Sequence, residues 1–256
     1  MKTKHPHKLF LLGGYDLEML TIKQMLEGRE DCVVLDQHLH WGNALLSAYQ
    51  SDLQRYEGYE VYGIELKEDI PLPVLYTRID HHNDWNGKPS ALEQVATIVG
   101  EDLNRFQQLV AANDKGYIPA MQALFATDEE IAEIRRRDRE AQGVCEADEL
   151  LAEQSVANHL SQYGSLMVVK SLTSRFSPIC DWLFPYRRLL IYTDSEWMYY
   201  GDGKAELVVM LVEEIRRGKV YHGGGDGGYI GCVKGAYEEN SIEKLVEQII
   251  NKYGFN

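Results

Sequence analysis

Val74-Leu75-Tyr76-Thr77-Arg78-Ile79-Asp80-His81-His82 is the stretch whose reading decides the fold. Residues 74–79 are a short apolar run, the pattern of a buried strand. An acid and two imidazoles leave its end, and in an open α/β sheet ligands bind outside the carboxyl ends of the strands. One carboxylate and two histidines suit a divalent cation, as direct ligands or as groups that orient them. Extended backbone sends adjacent side chains to opposite sides, so all three cannot reach one ion without a turn.

Outward from that stretch the first half of the chain alternates. Residues 8–12 predict a strand, followed by Gly13-Gly14 and a helix over 17–26. A strand over 32–35, a helix over 43–56, strands over 59–66 and 74–79, and helices over 90–99 and 103–113 complete the pattern. Such alternation predicts an α/β fold with a doubly wound, mostly parallel sheet covered on both faces. Residues 127–159 are charged and lack Pro; Glu129, Glu130, Glu133, Arg135, Arg136, Arg137 and Arg139 alternate in sign at helix-neighbour spacing. This predicts a solvated helix rather than a phosphate-binding Arg triplet. After Gly164, residues 165–170, 189–193, 206–212 and 229–233 read as strands or buried segments, and 241–253 as an amphipathic helix. The expected organisation is an N-terminal domain over 1–126, a helical connector over 127–160 and a smaller C-terminal α/β domain over 161–256.

The 256 residues carry a formal charge of -14 and are 45% hydrophobic, with a pI near 5.0. That balance predicts a globular protein and argues against long duplex nucleic acid, which needs a continuous basic surface to replace counterions. A small phosphorylated substrate stays compatible, because bound metal inverts the local field. Cys32, Cys145, Cys180 and Cys232 lie far apart, which predicts reduced thiols and a cytoplasmic location. The basic N-terminus ahead of Leu9-Phe10-Leu11-Leu12 resembles a signal peptide, but the run is too short and is closed by Asp16 and Glu18. No stretch is long enough for a membrane span. A homodimer is left open.

Other candidates stand at the ends of elements. Asp16 and Glu18 follow the first strand and, two residues apart in extended chain, can face one cation; equally they suit a helix start, opposing its dipole. Asp114 ends a predicted helix, where the dipole disfavours an acid and a cation would compensate. Asp36, His38 and His40 leave the second strand with metal-like spacing, or form a polar loop around Trp41-Gly42; Glu65, near the end of the third strand, is a weaker candidate. His222-Gly223-Gly224-Gly225-Asp226-Gly227-Gly228 has five glycines over positions 223–228, enough for backbone N–H groups to approach an anion closely. Arg175, Ser174 and Lys170 are candidate side-chain contacts for that anion, and Tyr199, Tyr200, Tyr221 and Tyr229 either stack a base or pack the small domain.

In this order the pieces resemble the DHH phosphoesterase superfamily with its DHH-associated C-terminal domain. Asp16-Leu17-Glu18 is similar to its acidic first motif, Asp80-His81-His82 to the name-giving triplet, Asp114 to a later acid, and the glycine run to its C-terminal GGGH motif. The resemblance implies a two-domain metal-dependent hydrolase acting on a phosphoanhydride, dinucleotide or short oligonucleotide held between the domains. It implies Mn²⁺, with Mg²⁺ or Fe²⁺ as alternatives, on Asp16, Glu18, His81 and Asp114. It further implies His82 facing the phosphate, Asp80 orienting the imidazole, and the 223–225 loop gripping the distal end of the substrate. Three positions depart from the pattern: Leu12 replaces a His, Glu65 or Asp36 stands for a bridging Asp, and Asp226 follows the glycines where a His is common. His38 or His40 is the expected replacement for a missing ligand. A diverged nucleotide- or phosphate-binding protein is the alternative.

Overall fold

The computed structural model describes residues 7–224 and 227–254, which fold as two compact units, one ending at Gly143 and the other starting at Val144. The first is built on β1 (Lys8–Leu12), β2 (Cys32–Asp36), β3 (Glu60–Ile64) and β4 (Tyr76–Ile79), all parallel, in the order β2-β1-β3-β4. From β1 the chain steps to β2 on one side and then crosses to β3 on the other. A reversal of this kind opens a crevice at the carboxyl ends of the two central strands, because their connections leave in opposite directions.

Alternation along β1 serves two layers. Leu9 and Leu11 are buried with Leu46, Tyr49 and Val61, whereas Phe10 and Leu12 face the opposite side. The helices are α1 (Leu17–Leu26), α2 (Gln50–Arg55), α3 (Ala91–Val99), α4 (Arg105–Ala123) and α5 (Asp128–Ala141), with α1 packed against α3, α4 and α5. Ser90, Asn104 and Thr127 start α3, α4 and α5 through capping boxes with Glu93, Gln107 and Glu130. Each box satisfies two amides that a helix start otherwise leaves unpaired.

Two predicted helices differ. Residues 43–56 form only a 3-10 turn over Leu46–Tyr49 and the short α2, because Ala44 and Leu46 are drawn into backbone hydrogen bonds with Lys67. The helix expected to stop near Asn113 runs on to Ala123, interrupted at Gly116 and Tyr117, where Tyr117 has φ +58.

The second unit comprises α6 (Glu146–His159), β5 (Leu160–Tyr163), β6 (Leu166–Lys170), α7 (Ser177–Leu183), β7 (Arg188–Tyr192), β8 (Trp197–Gly201), α8 (Lys204–Met210), α9 (Val212–Arg216), β9 (Val220–Gly223), β10 (Tyr229–Cys232) and α10 (Glu239–Tyr253). Its sheet has the order β5-β6-β7-β8-β10-β9, with β6 and β7 parallel and the other pairs antiparallel. Residues 206–212, expected as a strand or buried segment, are helical. Leu207 and Leu211, four apart, both enter the core beside Trp197, Tyr199 and Ile230. That stripe overrides the β preference of the intervening valines. The strand β5 was not expected; at the sheet edge, with mostly exposed side chains, it has no alternation to read.

Residues 127–159 are helical, but in two pieces: α5 packs on α1 and α4, and α6 on α7 and β6. Arg135 and Arg139 of α5 are buried, contrary to the solvated face expected for them, and so is Asp138. Among the described residues no helix is long and apolar enough to cross a membrane, and the four cysteines form no disulfide.

Candidate functional site

The carboxyl ends of β1, β3 and β4 bring together acids and imidazoles. Past β1, Gly13 approaches β3 so closely that a side-chain carbon there would overlap the carbonyl oxygens of Ile64 and Glu65. This contact delivers Asp16 and Glu18 at the start of α1. Asp16 caps that helix, its Oδ1 accepting from the Met19 amide at 2.9 Å. Glu18, buried, accepts from the Leu92 amide at the start of α3 at 3.0 Å. Each acid therefore serves a helix start and still has an oxygen left over.

Past β3, Glu65 has φ +53, a left-handed conformation rare for a residue with a side chain. Its amide still bonds Ile79 O at 2.8 Å, so the turn follows directly on the strand, and its carboxylate is buried beside His81. Past β4, His81 Nε2 lies 3.2 Å from Glu65 Oε1, 3.8 Å from Glu18 Oε2 and 2.5 Å from Asp114 Oδ2. Asp114 comes from α4, two residues before its break. His82 Nδ1 lies 3.6 Å from Glu65 Oε1 and 3.4 Å from Asp80 Oδ1, and its ring is partly open to solvent.

These atoms are close without being hydrogen-bonded. Glu18 Oε2, both oxygens of Glu65, His81 Nε2 and Asp114 Oδ2 are buried and make no aligned hydrogen bond within the protein. Buried polar atoms are almost always hydrogen-bonded, so five without an aligned hydrogen bond in one place need a physical reason. Glu65, His81, His82 and Asp114 each offer a ligand atom, all within 4.8 Å of one another. Mixed carboxylate and imidazole donors at such spacing fit a divalent cation.

The electrostatics point the same way. Burial pushes the Asp16 carboxyl up to about 7, reinforced by the charge of Asp114 and opposed by the Met19 amide. Burial and then Glu18 push Asp114 up to about 6. Glu65 is held well above the usual carboxylate range by burial, against the pull of His81. His81 shows the reverse: burial alone would lower it, but Asp114, Glu18 and Glu65 carry it up to about 12. Asp80 is depressed in spite of burial because His82 bonds its carboxylate, so it remains an ionised support for that ring.

Of the residues expected at the site, the structure brings together Glu18, His81, His82 and Asp114, with Asp80 behind His82 and Asp16 within electrostatic reach of Asp114. Glu65, the weaker candidate in the sequence, belongs to the same group. Asp36 and His38 are not part of this group. Lys23 Nζ pairs with Asp36 at 3.0 Å, and Asp36 accepts from the His38 amide at 2.8 Å, so the acid fixes its own loop. Leu12 is buried in the strand and supplies no donor atom.

A supporting set was missed in the sequence. Arg135 Nη1 donates to Asp138 Oδ2 at 2.7 Å and Asn113 Oδ1 at 3.0 Å, and Asp138 Oδ1 accepts from the Leu17 amide at 3.4 Å. The guanidinium also lies 4.6 Å from the Tyr117 ring centroid. It thus ties the start of α1 to the segment of α4 that carries Asp114. Alternating charges at helical spacing look the same whether they meet water or a buried partner.

In the second unit, His222, Gly223 and Gly224 lie at the β9–β10 turn; Gly225 and Asp226 lie outside the described residues. Lys204, buried, donates to Gly223 O at 3.0 Å, and a side-chain carbon on Gly223 would meet the Tyr229 hydroxyl at 2.7 Å. Close packing therefore accounts for part of the glycine content. Arg175, Ser174 and Lys170 do not join this turn. Lys170 pairs with Tyr192 at the end of β7, whereas the glycine turn aligns through Tyr229 and Tyr200 with Leu189 at its start. The two groups occupy opposite ends of the sheet. Tyr199 is buried in the core, and Tyr221 and Tyr229 meet edge to face at 6.2 Å.

No family model and no curated protein sequence matches the chain. Among solved structures it is similar to the pGpG-specific phosphodiesterase PggH from Vibrio cholerae, at 12% identity over 97% of this chain and 99% of that one, with a TM-score of 0.50. It is also similar to the DHH domain of a member of the s1p family of ribosomal proteins, at 11% identity over 96% of this chain and 86% of that one, with a TM-score of 0.53. Likeness at these identities is one of fold: the chain has the fold of these structures, the second of which is a DHH domain.

Proposed function

We propose that the protein is a metal-dependent phosphoesterase acting on a small nucleotide-type phosphodiester or phosphoanhydride. The observation that carries this reading is the buried cluster of Glu18, Glu65, His81 and Asp114, five of whose polar atoms have no aligned hydrogen bond. Glu65, His81 and Asp114 would hold the ion, with Glu18 and Asp16 completing the anionic wall. Mn²⁺ suits mixed carboxylate and imidazole donors best; Mg²⁺ and Fe²⁺ are the alternatives. When bound, such an ion supplies Lewis acidity at a phosphoryl oxygen and an activated water.

The chain's own groups do the rest. Glu18, Glu65 and Asp114 face the His81 imidazole, so the site repels a bare phosphate and a bound cation would relieve that repulsion. His82, partly exposed and held by Asp80 at 3.4 Å, is placed to donate to a phosphoryl oxygen and fix its orientation. The 222–224 turn of the second unit would offer backbone N–H groups to an anion. A PggH-like fold supports a dinucleotide among the substrates, since that protein is named for its specificity toward pGpG.

The test is a hydrolysis panel of pyrophosphate, polyphosphate, a linear dinucleotide and a phosphomonoester, before and after chelation. Turnover should vanish on chelation and return with Mn²⁺, and His81→Ala should abolish it. Turnover unaffected by chelation overturns the reading. Tight nucleotide binding with no turnover under any of the three ions replaces it with the diverged nucleotide-binding protein.

A further inference from the structure

The loop between β2 and α2 carries a tryptophan that the phosphoesterase reading does not use. Trp41 is 50% exposed, unusual for the largest apolar side chain in a polar neighbourhood. Its ring centroid lies 5.5 Å from that of His82, at an interplanar angle of 67°. On another side it abuts Gly14, where a side-chain carbon would stand 3.0 Å from Trp41 Cζ2. Trp41 thus touches the residue that faces the ligand cluster and the turn that leads to Asp16.

The loop is held in place. The His40 amide donates to Asn43 Oδ1 and the Asn43 amide to His40 O, both at 2.8 Å. Asp36, bridged to Lys23, closes the other end through the His38 amide at 2.8 Å. The polar residues that looked like spare metal ligands therefore build the frame on which Trp41 is displayed. A second exposed tryptophan, Trp85, is already engaged: Lys88 Nζ lies 4.2 Å and Arg78 Cζ 5.6 Å from its ring centroid.

We propose that Trp41 forms a nucleobase subsite beside the metal-ligand cluster, stacking on the base next to the phosphate at His82. Aromatic side chains beside a phosphate-binding groove hold bases with little sequence preference, because every base has a π face. A platform already ordered loses little conformational freedom on binding. The proposal rests on the nucleotide-type substrate above and makes Trp41 a specificity-determining residue that separates nucleotides from base-free phosphates.

Calorimetric titration of AMP and ribose 5-phosphate, with Mn²⁺ present, tests it on the wild type, Trp41→Ala and Trp41→Phe. The wild type should prefer AMP, Trp41→Ala should lose about 10-fold of that preference, the effect of one base stack, and Trp41→Phe should keep most of it. Unchanged thermal unfolding of the variants separates lost stacking from lost structure. No preference for AMP in the wild type, including no binding of either ligand, overturns the proposal; so does a preference that survives Trp41→Ala. A Trp41-dependent preference without hydrolysis of any phosphodiester defeats the enzyme reading and leaves this one standing. Metal-dependent hydrolysis with the preference unaltered in Trp41→Ala does the opposite.

Discussion

Asp16→Asn should stabilise the metal-free protein, and more so at alkaline pH. Asp16 is 4% exposed, and its carboxyl titrates at about 7 in the fold against 3.8 unfolded. An acid raised in this way destabilises the fold when ionised. Its cost is complete above pH 7 and is relieved as pH falls through the folded value toward the unfolded one. The difference amounts to on the order of 4 kcal/mol, an upper bound because the amide must still be buried. Asn is as good a helix cap as Asp, so the bond to the Met19 amide survives. Thermal unfolding after chelation, followed by circular dichroism at pH 8.5 and pH 5, should show the variant melting up to roughly 10 °C higher at pH 8.5, with the gap narrowing at pH 5. Mn²⁺ should reverse the order, stabilising the wild type more than the variant, because the repulsion it relieves is smaller in the latter. A variant less stable than wild type at pH 8.5, or a gap that ignores pH, refutes the idea that Asp16 faces a repulsive buried cluster.

Further outcomes follow from the same geometry. Arg135→Ala should destabilise the protein by about 3–5 kcal/mol in denaturant titration, because it leaves Asp138 buried without its cation. Gly13→Ala should weaken Mn²⁺ binding measured by calorimetry, since the added carbon must push β1 away from Glu65. Lys204→Met should speed amide exchange at Gly224 in the β9–β10 turn while leaving Mn²⁺ affinity unchanged, because Lys204 holds the turn through Gly223 O.

Much of the fold was legible because its signals are local. The strand of residues 8–12 and the helix of residues 17–26 match the predicted bounds, and the helix predicted over 90–99 spans Ala91–Val99. The failures are long-range. Residues 206–212 carry β-branched side chains yet are helical, because only the core of the second unit can choose which of them to bury. Arg135 and Asp138 carry the same pattern as Arg136 and Glu140, which pair across the exposed face of α5 at 2.5 Å. What separates the two pairs is the stripe of Ile131, Ile134 and Ala141, on which Arg135 and Asp138 fall and Arg136 and Glu140 do not.

The sequence by itself determined that acids and imidazoles would leave apolar strands at one edge of an α/β sheet, because alternation and strand exits are written in neighbouring residues. Only the tertiary structure decided which of them meet. The strand order put the exits of β1, β3 and β4 side by side, and the left-handed turn at Glu65 placed its carboxylate beside His81, while Lys23 claimed Asp36. Convergence depends on backbone dihedrals and on packing between segments far apart in the chain, so the choice of ligands is made in space rather than along the sequence.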